Sequence, residues 1–263
     1  LHGDKLAAEA LLLALVARVR TTRASVPIGA LTLNICDLPP TASDITSALQ
    51  QAIENVCPAV LTQSLALSSL NDTSSAFFPR SDGENLKAGR LQLAKGTVLL
   101  VDEAQMGEGE LKDMGVRNIR ALNSVMSTRK LPYAFPFSEF EFDADPNVVV
   151  LSNGRSFLST NVQVPLRGAG SASKLSEPTA SQLKAWRKLI IESRGADFDV
   201  SPEMAEQIQK EFVDARQQAP ASAGSNDSKS KKTAFGQEDL LRRMAMARLH
   251  ALSRGKRSLD EES

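Results

Sequence analysis

The sequence predicts an α/β fold in which a parallel sheet is covered on both faces and is followed by a small all-α region. Two short runs of apolar residues, 97–101 and 147–151, have the pattern of strands buried on both faces. Helical segments alternate with such strands through the first two-thirds of the chain, whereas the last third repeats at helical spacing throughout. We therefore predict an α/β domain at 1–168 and a helical domain at 178–217 and 233–255.

The elements of the α/β region follow from local periodicity and from turn residues. Continuous apolar or alternating runs predict strands, apolar residues at helical spacing predict helices, and prolines end an element. In chain order we predict a helix at 8–20, a strand at 31–36, a helix at 45–56 capped by Ser43 and Asp44, strands at 61–69 and 97–101, a helix at 116–127 and a strand at 147–151.

The helical region divides into three predicted helices and a linker. Ser201 and Pro202 have the order of an N-cap followed by a first-turn proline, which marks a helix start. The segment 218–232 is rich in Ser, Ala, Gly and Lys, so we predict a disordered linker. The apolar stripes predicted for the three helices are Leu183, Trp186, Leu189 and Ile190, then Met204, Ala205, Ile208, Phe212 and Ala215, then Leu240, Leu241, Met244, Ala247 and Ala251.

Composition excludes several classes of function. Lys and Arg together number 31 and so do Asp and Glu, so no global positive charge favours nucleic acid or a membrane surface. Two cysteines and two histidines form neither a disulfide framework nor a spaced metal cluster, which favours a reducing compartment. The apolar run at 10–17 is too short to cross a bilayer. Because the chain does not begin with Met, we expect residue 1 not to be the native start.

Two acidic residues follow the predicted strand at 97–101. In ATPases with a phosphate-binding loop, such a position holds an aspartate that serves magnesium and a glutamate that activates the attacking water. Asp102 and Glu103 fit this order, but a buried strand that simply ends in two acids at the sheet edge fits equally well. The order of the other elements favours the first interpretation. A polar residue ends the next strand and a helical region follows, as in the AAA+ ATPases.

Several segments of the chain resemble one family. The final helix "EDLLRRMAMARLHALSR" resembles the lid helix of minichromosome maintenance (MCM) helicases. The segments "HGDKLAAEALLLALVARV", "PIGALTLNI", "VLLVDE", "GVRNIRALNSVM" and "SNGRSFL" together resemble the C-terminal half of the MCM-binding protein family, which is distantly related to MCM subunits. The resemblance covers nearly the whole chain outside the linker and implies a degenerate AAA+ domain with a helical lid.

The resemblance places a phosphate-binding loop at the start of the chain, and its essential residues are missing. Gly3 and Asp4 match the first two positions, but Leu6 replaces the second glycine, Glu9 the lysine and Ala10 the magnesium-binding hydroxyl. A carboxylate in place of an ammonium repels a triphosphate by several kcal/mol relative to the attractive pair. We therefore expect no bound cofactor.

The other positions that the resemblance assigns to the ATPase site are equally incomplete. Asn153 is a remnant of the polar sensor, and the segment 159–166 contains no arginine where MCM subunits carry an arginine finger. Asp102 and Glu103 therefore have no phosphate or magnesium to serve. We interpret both as structural residues that hydrogen-bond to backbone N–H groups of nearby loops.

The segment 129–142 corresponds to a hairpin that faces DNA in the helicases, and here its chemistry differs. Acidic residues stand among its aromatic ones, which opposes the electrostatic attraction to DNA. An aromatic cluster beside acids suits a protein interface, and filling the core of the hairpin is the alternative. The candidate interface residues are Tyr133, Phe135, Phe137 and Phe140.

The resemblance implies a non-catalytic adaptor that binds MCM helicase subunits. It would act in the nucleus in the assembly, protection or unloading of the MCM complex during DNA replication, with effects on the cell cycle and sister chromatid cohesion. Chromatin association would be indirect, through MCM, with no membrane and no small-molecule substrate. An active AAA+ ATPase or helicase subunit is the alternative, supported by Asp102, Glu103 and Asn153. A free-standing DNA-binding module is supported only by short basic runs.

Overall fold

The structure, a computed structural model, describes residues 1, 3–23, 26–38, 42–167, 177–218 and 236–259. The helices of these segments are α1 Lys5–Val16, α2 Ala42–Glu54, α3 Leu67–Leu70, α4 Asp113–Ser127, α5 Ala180–Gly195, α6 Pro202–Gln218 and α7 Gln237–Ser253. The strands are β1 Thr21–Arg23, β2 Val26–Ile28, β3 Leu33–Cys36, β4 Val60–Ser64, β5 Arg80–Asp82, β6 Asn85–Lys87, β7 Val98–Asp102, β8 Lys130–Ala134, β9 Glu139–Asp143, β10 Asn147–Leu151 and β11 Val162–Pro165.

Five parallel strands form the central sheet, in the order β11-β3-β10-β7-β4, which confirms the predicted parallel α/β architecture. Every residue of β3, β7 and β10 is buried. Alternate side chains of β7 and β10 enter two hydrophobic clusters, and β3 adds Leu33 and Ile35 to the first of them. One lies between the sheet and α1, and the other lies between the sheet and α4. The continuous apolar runs thus come from strands that are covered on both faces. Assignment of this sheet to a degenerate AAA+ domain stays a prediction.

The first helix is displaced from its predicted bounds because both of its ends are capped by side chains. Asp4 is the N-cap and accepts a hydrogen bond from the Ala7 N–H, so the helix begins at Lys5. At the other end, the Asn147 side-chain amide donates to the backbone oxygens of Ala14, Leu15 and Ala17. Residues beyond Val16 lead instead into the hairpin of β1 and β2.

The strand predicted at 61–69 is wrong in its second half. β4 ends at Ser64, and the short helix α3 follows at once. The Ala66 N–H donates to Ser64 Oγ, and the Leu65 N–H donates to the Asp102 carbonyl at the end of β7. The Ser64 hydroxyl thus takes a backbone N–H that could otherwise pair with a neighbouring strand, and the chain turns at this point. The side chains of the predicted caps Ser43 and Asp44 lie outside the part of the chain that the structure describes. Residues 219–232 of the predicted linker at 218–232 also lie outside it.

A second sheet of four strands stands apart from the central one, in the order β6-β5-β8-β9. Its β8–β9 hairpin is antiparallel and contains most of the aromatic segment 129–142. The sequence pattern did not predict β5 and β6. These strands are three residues long and largely exposed, so they carry no apolar periodicity.

The helices α5 and α7 pack against α1, and their buried residues enter the same cluster as one face of the central sheet. The Ser193 hydroxyl donates to the Leu252 carbonyl, which links α5 to α7. The predicted stripes are only partly correct. Ile190 and Ala251 are buried as expected, but Trp186 is 45% exposed, and the buried Leu249 and Leu252 were not in the predicted α7 stripe. The division into two domains stays a prediction.

Candidate functional site

The carboxyl ends of β7 and β10 bring together three of the residues predicted from sequence. Leu151 pairs with Asp102 in the register of the two strands, and the Glu103 N–H donates to the Leu151 carbonyl. Asn153 is the second residue after β10, and its side chain reaches the loop after β7. Parallel strands end at one edge of a sheet, and ligands of open α/β sheets bind at that edge.

Asp102 points into this edge and is buried. Its Oδ1 accepts a hydrogen bond from the Ala104 N–H at 3.1 Å, and the Thr46 hydroxyl also bonds to the carboxyl. Burial raises the pKa of Asp102 above its ordinary value, and the hydrogen bonds only partly offset that rise. The carboxyl is therefore held by its own loop and by α2.

Glu103 and Asn153 join the two loops that leave this edge. Glu103 Oε1 accepts a hydrogen bond from the Phe157 N–H at 3.1 Å, and Oε2 accepts one from the Ser156 hydroxyl. The Asn153 amide donates to the Ala104 carbonyl at 3.3 Å. Sequence reasoning missed Ser156 and Phe157 as partners because nothing in the local pattern shows which loop the glutamate reaches.

Gly3 and Asp4 lie at the N-terminus of α1. The Asp4 carboxylate is the N-cap and accepts a hydrogen bond from the first turn of the helix. Asp4 Oδ1 binds the Ala7 N–H at 3.0 Å, and Oδ2 binds the Arg167 N–H at 2.8 Å. These two backbone donors, that of Ala7 first, lower the pKa of Asp4. Gly3 has a φ of 81°, a left-handed conformation that suits glycine. A side chain thus takes the position at which a helix N-terminus would bind an external anion.

Glu9 and Ala10 lie on the body of α1, away from the edge residues described above. Glu9 Oε1 is 3.2 Å from His250 Nε2 on α7. Ala10 is buried in the cluster between α1 and the sheet. Neither residue makes a described contact with Asp102, Glu103 or Asn153.

Two inner strands lead into a helix, β7 into α4 and β3 into α2, and the connection after β3 is the shorter one. β3 has β11 on one side and β10 on the other, and residues 37–41 connect it to α2. Asp37 has a φ of 57°, in the left-handed region that aspartate tolerates better than most side chains. The sequence "CDLPPTASD" at 36–44 contains no glycine, lysine or arginine. Residues 39–41 lie outside the described part of the chain.

A cleft of about 530 Å³ lies at the opposite edge of the sheet. Thr32 before β3, Arg129 after α4 and Asn161 before β11 line it. Arg129 is buried and donates to the Pro146 carbonyl, and burial lowers the pKa of its guanidinium. The sequence-predicted site residues do not line this cleft.

The β8–β9 hairpin exposes the predicted aromatic residues. Phe137 at the turn is fully exposed, and Phe140 is 55% exposed. The Phe135 and Phe140 rings meet edge to face at 5.7 Å between centroids, whereas Tyr133 is half-buried with its ring 4.5 Å from that of Phe142. Exposed aromatic side chains at such a density are characteristic of interaction surfaces. We refer to residues 133–142 as the aromatic hairpin.

Neither a metal cluster nor a membrane span occurs in the segments that the structure describes. No group of three or more His, Cys, Asp or Glu side chains in those segments is arranged to hold a metal ion. None of the described helices is long and apolar enough to cross a bilayer.

Comparison with known proteins identifies a family that the chain matches over its whole length. Residues 1–263 match the family described as "Mini-chromosome maintenance replisome factor". Proteins named "Mini-chromosome maintenance complex-binding protein" are 34% identical in Danio rerio, 35% in Salmo salar and 30% in Homo sapiens, each over 272 residues that include the whole chain. The chain spans 41%, 41% and 40% of these relatives. The chain belongs to the mini-chromosome maintenance replisome factor family.

Proposed function

We propose that this chain is a non-catalytic module that binds MCM helicase subunits. It would regulate the assembly, protection or unloading of the MCM complex in DNA replication, with effects on the cell cycle and sister chromatid cohesion. Family membership and the names of the relatives support the choice of partner. The observation that carries the proposal to particular residues is the exposure of Phe137 and Phe140 on the aromatic hairpin.

Two features support a non-catalytic role. Asp102 and Glu103 are bound to loops of their own chain. The passage from β3 to α2 is, in our proposal, the true counterpart of a phosphate-binding loop, because such loops connect a strand to a helix. It contains Pro39 and Pro40, which have no N–H to offer a phosphate.

This proposal moves the vestigial phosphate loop from 3–10 to 37–41. The reason is topological, since α1 is followed by the β1–β2 hairpin, whereas β3 is an inner strand of the sheet that leads into α2 through the short connection 37–41. The conclusion drawn from the first assignment is retained, because the new position also lacks glycine and lysine.

The proposal includes a location and a mode of chromatin contact. The chain would act in the nucleus, where the MCM complex works, and would reach chromatin through MCM. Acidic residues Glu139 and Glu141 beside the exposed aromatics oppose direct contact with a phosphate backbone. No cofactor and no small-molecule substrate are part of the proposal.

An active ATPase subunit is the competing function, and the position of Asp102 at the end of β7 favours it. One experiment separates the two. The purified chain is titrated in parallel with purified MCM complex and with a fluorescent ATP analogue plus magnesium. The proposal expects binding to the MCM complex and no saturable binding of nucleotide. Tight nucleotide binding with hydrolysis would establish the ATPase, and failure to bind any MCM subunit would overturn the adaptor.

A further inference from the structure

The strand β9 forms an open edge of the second sheet. It is last in the strand order and pairs only with β8 among the described strands. All five of its residues are exposed. An exposed edge presents unpaired N–H and C=O groups that can pair with a further strand, and proteins commonly block such edges with charged side chains, proline or a bulge. The sequence of β9, "EFEFD", contains no proline, and its charged residues are all acidic, so they oppose a negatively charged neighbour and not a basic one.

The backbone groups that face this open edge belong to the acidic residues. In an antiparallel pair, hydrogen-bonded and non-hydrogen-bonded residue pairs alternate. The Phe135 N–H donates to the Ser138 carbonyl and the Ala144 N–H donates to the Arg129 carbonyl, so both pairs are hydrogen-bonded. Continuing the alternation, Phe140 and Phe142 direct their backbone groups toward β8. Those of Glu139, Glu141 and Asp143 therefore point away from β8, toward solvent.

The two faces of β9 differ in chemistry. Phe140 and Phe142 lie on one face, 55% and 52% exposed, and the acidic side chains lie on the other. Asp143 forms an ion pair with Lys130. In the described part of the chain, Glu139 and Glu141 form no ion pair. The strand thus offers alternating apolar and negatively charged contacts to a neighbour.

A second copy of this chain is a poor neighbour. Antiparallel pairing of two β9 strands that places phenylalanine opposite phenylalanine must also place acid opposite acid, because the two residue types alternate. Like charges directly opposite each other across strands destabilise the pair. Charge complementarity instead selects a strand whose alternate residues are basic.

We propose that the open edge of β9 binds an extended peptide segment in which lysine or arginine alternates with apolar residues. The segment adds a strand to the sheet and pairs with the backbone of Glu139, Glu141 and Asp143. Its basic side chains contact Glu139 and Glu141, and its apolar side chains pack against Phe140 and Phe142. This inference rests on the proposed function, since it specifies what the aromatic hairpin recognises in its protein partner.

The test measures binding of short fluorescent peptides to the whole chain by anisotropy. We expect saturable binding of a peptide that alternates lysine and valine, and this binding should weaken as salt is raised. A peptide that alternates glutamate and valine should bind at least about tenfold more weakly than the lysine peptide. A third peptide repeats the lysine–valine sequence with methylated backbone nitrogens on its pairing edge. It should also lose at least about tenfold in affinity, because methylation removes the N–H donors that pair with β9.

Variants of the protein separate charge from backbone pairing. Glu139→Gln with Glu141→Gln should weaken the lysine peptide and reduce its salt dependence. Glu141→Pro should abolish binding, since this N–H faces solvent and proline is tolerated on an edge strand. Glu108→Gln, at an exposed position outside the hairpin, is the matched control and should bind like the parent. Equal binding of lysine and glutamate peptides, or full binding of the methylated peptide, would overturn the inference.

The same variants distinguish failure of this inference from failure of the proposed function. If MCM binding requires Phe137 and Phe140 but Glu141→Pro leaves it intact, strand addition is wrong and the adaptor stands. If the lysine peptide binds as expected while MCM binding is absent, the edge recognises basic strands and the adaptor is wrong.

Discussion

At the scale of single residues, the acids that suggest catalysis are engaged within the chain. Asp102, Glu103 and Asp4 each accept a hydrogen bond from a backbone N–H. Sequence reasoning could predict loop capping for Asp102, because short-range bonds from an acid to nearby N–H groups are common. It could not identify Phe157 as the partner of Glu103, because the two residues are far apart in the chain. It could not predict the contact between Asp4 and the Arg167 N–H, which joins residues 163 positions apart.

The raised pKa of Asp102 predicts a pH-dependent effect of its replacement. Burial makes the folded chain hold this proton to higher pH than the unfolded chain does. Stability of the parent therefore falls as the pH rises from the ordinary aspartate pKa, about 3.9, through the folded value. Asp102→Asn keeps an acceptor for the Ala104 N–H and has no charge to bury, so it should gain stability relative to the parent with rising pH.

Urea unfolding of parent and variant between about pH 4 and pH 7 measures this difference. Asp82→Asn, which removes an exposed carboxylate, is the control for a change in surface charge. A difference in free energy of unfolding that stays constant, or that shifts against the variant as the pH rises, would contradict a destabilising buried carboxylate at this position.

At the scale of elements, Asn147 fixes the end of α1 against the sheet. Its amide donates to three carbonyl oxygens at 2.6, 3.0 and 3.0 Å, and the residue is buried. Asn147→Ala leaves these acceptors without that donor and should lower the free energy of unfolding by about 2 kcal/mol. Asn153→Ala, which removes one exposed bond, should cost less than about 0.5 kcal/mol. Equal losses in urea unfolding would refute this assignment.

The elements that local pattern predicts well are those whose burial is uniform. β7 and β10 match their predicted positions within a residue because every side chain of each strand is buried. Trp186 fails the prediction because helical spacing identifies an apolar stripe without showing whether another element covers it. Exposure of Phe137 and Phe140 is not readable from sequence for the same reason, since an aromatic strand can equally fill a core.

At the scale of the whole molecule, the order of strands in the central sheet indicates which connection corresponds to a phosphate-binding loop, and a sequence motif alone does not. The pattern at 3–10 resembles a degenerate phosphate-binding loop, but α1 is followed by the β1–β2 hairpin, whereas β3 is an inner strand that leads into α2 through residues 37–41. Pairing of strands distant in the chain is not encoded in local periodicity, so the sequence alone could not suggest 37–41, which we propose as the counterpart of the phosphate-binding loop.

This relocation predicts that repairing the first motif will not create a nucleotide site. A double variant, Glu9→Lys with Ala10→Ser, restores the residue types of a phosphate-binding loop. Position 9 faces His250 and position 10 is buried, so neither new side chain can reach the edge at Asp102. Titration with a fluorescent ATP analogue and magnesium should show no saturable binding for parent or variant. Micromolar binding by the variant alone would return the loop to 3–10.

Binding of the MCM complex to the aromatic hairpin is tested by the affinity of purified MCM complex for the double variant Phe137→Ser with Phe140→Ser. We expect a loss of at least about tenfold relative to the parent, because buried aromatic anchors of an interface contribute about 2 kcal/mol or more. Trp186→Ser, which removes an exposed aromatic residue from α5, should bind like the parent, and all three proteins should unfold at similar urea concentrations. Undiminished binding by the hairpin variant would show that the aromatic hairpin does not bind the MCM complex.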